Sequence, residues 1–171
     1  MNNFSIRSGV AFVAVFGAIA LFLWFDLSAV LTARAAGEGA IGGGESGMFQ
    51  TGHITITTAD GYSHDFQVEL AVTPTQQSRG LMFRKTLGAR HGMLFDYHPP
   101  RRIAMWMKNT FISLDMVFFD EKGRIAHMAT HTEPLTQDLI ATPMAIRYVL
   151  EVPAGTVERL KLGIGDRLQV R

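Results

Sequence analysis

Five side chains have the types and spacing to recognise a polar ligand: Arg79, Trp106, Lys108, Asn109 and Asp115. Lys108, Asn109 and Asp115 stand around a short polar break in IAMWMKNTFISLDMVFF, Ile103–Phe119, between two apolar runs. Asn tolerates left-handed backbone, and Asn and Thr side chains bond to nearby main chain. One reading is therefore a loop shut by Asn109, with a Lys108–Asp115 pair across its opening. A second places Trp106, Lys108 and Asn109 at a barrel mouth, where an aromatic plane beside convergent polar groups suits a sugar, a peptide or a small carboxylate. Arg79 brings a fork-shaped donor for a carboxylate to the same mouth, or pairs internally with Glu151 or Asp115. Arg84, one and a half helical turns from Arg79, points elsewhere.

Other chemistries are weaker. Met93, Met105, Met107 and Met116 with His91, His127 and His131 are the soft and imidazole ligands of a copper site. However, the histidines have no HxH or HxxxH spacing, and Met105 and Met107 alternate into what reads as core, where methionine fills gaps. Neither metal nor other cofactor is implied. Ser63 and Ser78 lack a nucleophile-elbow context, and no phosphate-cradling glycine loop or H-E-x-x-H helix occurs. Acid–base catalysis would have to be assembled in three dimensions from Asp115, Glu151 or His91. A third class, a structural subunit of an envelope assembly, would carry an exposed apolar patch and no cavity.

The elements that must hold these residues follow from pattern. Sixteen basic against fifteen acidic residues give no basic face for nucleic acid, and the chain has no cysteine for a disulfide, thiol nucleophile or thiolate metal site. Residues 1–35 carry Arg7, the apolar run Val10–Phe25 and small residues at Ala33 and Ala35. They read as a cleaved signal peptide or an uncleaved signal anchor, with the rest exported to the periplasm and touching membrane only through this segment. Residues 36–52 are glycine-dense and read as a flexible linker. Residues 53–171 read as one domain. HITITT and Ser63–Val72 around Asp60-Gly61 predict a hairpin. Thr73-Pro74-Thr75-Gln76 predicts a capped helix to about Phe83. Ile103, Met105 and Met107 should face one way and Trp106 and Lys108 the other, within a central hairpin over Ile103–Phe119. His131–Met144 reads as an irregular surface loop, and Ala154–Leu162 as a second short helix. The order predicts an α+β, mainly β fold, a compact antiparallel β-barrel or sandwich with two short helices.

Six blocks carry a resemblance. They are Arg79-Gly80-Leu81-Met82-Phe83-Arg84, Gly92-Met93-Leu94-Phe95, Met105-Trp106-Met107-Lys108-Asn109-Thr110, Leu114-Asp115, Val149-Leu150-Glu151 and Gly163-Ile164-Gly165-Asp166. In this order they resemble the bacterial and archaeal family of domain of unknown function 192, with Ser113 where that family often has proline. The resemblance implies a small β-rich domain, commonly exported or membrane-tethered, and no particular activity.

Overall fold

The computed structural model describes residues 48–171, which form one α+β, mainly β domain. The predicted signal segment and most of the predicted linker lie outside the described residues. Among the described residues, 48–171, no helix is long and apolar enough to cross a membrane.

The strands are β1 (Gln50–Thr57), β2 (Ser63–Ala71), β3 (His91–Arg101), β4 (Ala104–Met105), β5 (Leu114–Phe119), β6 (Ile125–Ala129), β7 (Ile140–Ala141), β8 (Ile146–Pro153) and β9 (Arg167–Val170), with helices α1 (Pro74–Arg79) and α2 (Thr156–Leu160). Seven strands make a curled half-barrel in the order β6-β5-β8-β3-β2-β1-β9, while β4 and β7 pair separately. All pairings are antiparallel except β2 with β3. At one end the outer strands meet: the Ile125 N–H donates to the Asp166 carbonyl and the Leu168 N–H to that of Gly123, each at 2.8 Å.

The β1–β2 hairpin turns at Gly61, whose φ of 89° suits a residue without Cβ. Gln50, Thr51 and Gly52, assigned to the linker from composition, are the first rungs of β1, because β2 is long enough to pair with them through Leu70, Glu69 and Val68. At α1 the predicted capping box forms. Thr73 Oγ1 accepts the Gln76 N–H at 3.2 Å, and Gln76 Oε1 accepts that of Thr73 at 3.0 Å. The helix stops at Arg79, short of the predicted Phe83, because Gly80 takes φ 48° and turns the chain away.

Both sheet faces are covered. One core holds Ile54, Phe66, Leu94, Val117, Leu150 and Leu168 with Val157 of α2. The other holds Leu81, Met93, Phe95, Met105, Met107, Met116, Phe118 and Val149. Every residue of β5 is consequently buried. The predicted hairpin over Ile103–Phe119 does not form. Met105 pairs with Ile140 and Ala104 with Ala141, so the segment assigned to surface loop supplies the partner strand, while β5 pairs with β6 and β8. The alternation itself holds: Ile103, Met105 and Met107 are buried, and Trp106 and Lys108 exposed.

Candidate functional site

The parallel β2–β3 pairing requires a crossover, and α1 with the turn after it travels over the Met-rich core. Between that crossover and the segment 104–110 lies a cavity of about 300 Å³, with Phe95, Tyr97, Met105 and Glu151 among its lining residues. Gly80 stands against this wall. A Cβ there would lie 3.2 Å from Phe95 Cζ and 4.0 Å from Glu151 Oε2.

Glu151 is the chemically unusual member. It sits in mid-sheet, in register with Met93 of β3 and Met116 of β5, and only 4% of its surface is exposed. Burial pushes its carboxyl up to about 8, so near neutral pH it is largely a protonated acid that can donate a hydrogen bond. Burial, followed by the charge of Glu151, also raises the Tyr97 phenol, with Arg101 opposing. The Tyr97 hydroxyl contacts Met105 Sδ at 3.4 Å.

Three cations share the cavity with this acid. Arg79, Arg101 and Lys108 all line the cavity. Each has its charge over an aromatic ring: Arg79 Cζ is 4.6 Å from the Phe83 centroid, Arg101 Cζ 4.8 Å from Tyr97, and Lys108 Nζ 5.2 Å from Trp106. Such contacts hold long cationic side chains in place beside the cavity.

The predicted site residues thus divide. Arg79, Trp106 and Lys108 converge on the cavity. Asn109 does not line it. Its backbone is left-handed, φ 57°, its carbonyl accepts the Phe83 N–H at 2.8 Å, and it ties the turn after α1 to the loop carrying Lys108. Asp115 belongs to the other face. It shares strand parity with Val117, whose core is the one packed by α2, and is fully buried there. Its Oδ1 accepts the His131 N–H at 2.9 Å and its Oδ2 the Val157 N–H at 2.8 Å. The supposed Lys108–Asp115 pair is replaced by these bonds and by the Lys108–Trp106 contact.

The three acid–base candidates are likewise dispersed, Glu151 at the cavity, Asp115 across the sheet and His91 in a separate cleft beside Glu69 and Arg84. Met93, Met105, Met107 and Met116 pack in one core, where Tyr97 and Thr132 hydroxyls approach Met105 and Met107 sulfurs at 3.4 and 3.2 Å. Among the described residues no three His, Cys, Asp or Glu gather as metal ligands. Sequence reasoning left Arg101 and Tyr97 out of the site, and Glu151 entered only as a partner or an acid. The available signal was a lone carboxylate within the apolar run Val149–Val152, a residue type seldom buried.

The family model described as "Uncharacterized ACR", domain of unknown function 192, matches residues 55–170. UPF0127 protein PH1112 of Pyrococcus horikoshii is 27% identical over 119 residues, covering 68% of this chain and 97% of that protein. A crystal structure from Sinorhizobium meliloti, of a candidate transcription regulator, is 42% identical with a TM-score of 0.70, over 71% of this chain and 95% of that one. Another, of a protein of unknown function from Novosphingobium aromaticivorans, is 33% identical with a TM-score of 0.70, over 74% and 89%. The six sequence blocks, the half-barrel and these matches agree: the chain belongs to the domain of unknown function 192 family.

Proposed function

We propose that this domain is a binding module for a small ligand bearing a carboxylate, held in the cavity between α1 and the 104–110 segment. One observation carries the reading: Arg79, Arg101 and Lys108 line the same cavity as a buried carboxylic acid, Glu151. Fixed cations attract the anion, and the protonated Glu151 offers it a donor in place of a repelling charge. Trp106 and Tyr97 supply apolar walls.

The test is calorimetric titration of the full-length chain with glutarate and N-acetylglutamate, with glutaramide as the uncharged control. The acids should bind near neutral pH, the control should not, and Lys108→Ala and Arg101→Ala should each weaken binding about tenfold, the worth of one charge-assisted hydrogen bond. Equal binding of the control, or none by either acid, overturns the reading.

Acid catalysis by Glu151 is the second reading, favoured by its raised pKa. Against it, the cavity lining contains neither a second carboxylate nor a histidine to complete an acid–base pair. We also propose export, on the pattern of residues 1–35. A reporter fusion active only outside the cytoplasm tests it, and activity confined to the cytoplasm would sink it.

A further inference from the structure

A second compartment of about 280 Å³ adjoins the cavity, lined by Val72, Pro74, Gln77, Asp96, His98 and Arg101. Pro74, Gln77 and Arg101 belong to both. Each space alone sits at the lower bound of ligand sites, roughly 300–1,000 Å³, and joined they fall well inside it.

The junction has two unequal members. Gln77 is fixed by the main chain, its Nε2 donating to the Asp96 carbonyl at 2.8 Å and to that of Ala71 at 3.4 Å. Its Oε1 therefore faces Arg101, which reaches it through Nη2 at 3.4 Å, the outer limit of a hydrogen bond. A carboxylate is a stronger acceptor than this distant amide oxygen and would draw Arg101 away from Gln77, opening one space to the other. Beyond the junction Asp96 is no obstacle to an anion, since its charge is met by Arg147. A cation already covers an aromatic face of both Tyr97 and Trp106, which favours recognition by charge over stacking of a sugar ring.

Resting on the carboxylate-binding reading above, we infer that the ligand is a linear acidic peptide that passes Arg101 and occupies both compartments. Three extended residues span about 10 Å, enough to reach from one to the other. Arg101 then determines specificity, gripping a carboxylate at the junction, and Val72 with His98 receives the continuing chain.

Calorimetric titration of the full-length chain with N-acetylglutamate and with triglutamate tests this. Triglutamate should bind at least tenfold tighter. Val72→Trp, at a half-exposed position that lines only the second compartment, should abolish that gain while leaving N-acetylglutamate within twofold. The variant separates occupancy of the second space from the peptide's greater charge. Equal affinities in the unmodified protein, or a gain that survives Val72→Trp, overturns the two-compartment ligand while single-site binding stands. If neither probe binds, both readings fall.

Discussion

Asp115 and Val157 are 42 positions apart, yet the Asp115 carboxylate accepts the Val157 N–H at 2.8 Å, so a β5 side chain caps the first turn of α2. The cap residue of that helix is Gly155, which has no side chain to do so. With the His131 N–H on its other oxygen, this carboxylate satisfies two main-chain donors, of which the Val157 N–H would otherwise be buried bare. Asp115→Ala should cost at least about 3 kcal/mol, two charge-assisted bonds at roughly 1.5–3 each. Urea unfolding measures it. N-acetylglutamate affinity should be unchanged, because the cavity lies across the sheet.

Glu151 makes stability fall as pH rises. Its folded pKa of about 8 exceeds the ordinary 4.5, so between these values the unfolded chain has released a proton that the folded one keeps. The stabilisation is complete below about pH 4.5, is lost progressively up to about 8, and the loss then levels off. Its full extent is on the order of a few kcal/mol. Glu151→Gln should remove this slope and become the more stable form at pH 9, as thermal or urea unfolding at pH 5, 7 and 9 would reveal.

Ligand affinity should follow the same group. Above pH 8 the ionised Glu151 would face an anion, so N-acetylglutamate affinity should drop about tenfold per pH unit. Glu151→Gln, which still donates, should bind with a flat profile over this range. An unmodified protein whose affinity is constant from pH 6 to 10 would remove Glu151 from the site.

Leu135 carries strain that a substitution can relieve. Its φ is 66°, a region costly for a side chain bearing Cβ, and its N–H is held by the Thr110 carbonyl at 3.1 Å. Because the side chain is 55% exposed, little burial is lost on replacement. Leu135→Asn should stabilise the fold by about 0.5–1 kcal/mol. A melting temperature that falls would contradict this.

Much of the fold was legible because it is local. The Asp60-Gly61 turn, the Thr73/Gln76 capping box and the inward alternation of Ile103, Met105 and Met107 each depend on residues a few positions apart. The β4–β7 pairing was not, since Met105 meets Ile140 across thirty-odd residues and two rungs leave no periodicity to read. The site was partly legible for the same reason. Trp106 and Lys108 alternate with the apolar Ile103, Met105 and Met107, a pattern that sets them on the opposite side. Which sheet face Asp115 occupies, by contrast, depends on register with β8, and Arg101 joins the cavity only because β3 runs on past Pro100. Glu151 looked like any carboxylate until its neighbours, Met93 and Met116, placed it in an apolar layer.

The contact between the outer strands governs more than shape. During synthesis β1 is made first and β9 last, so until Arg167–Val170 emerges, both β1 and β6 present unpaired backbone able to recruit a strand from another chain. Four residues of β9 cover the β1 edge by sheet pairing and, through the Leu168–Gly123 bond, pin the turn that leads into β6. The strand that closes the β1 edge is therefore the shortest of the large sheet, and it is made after the other six.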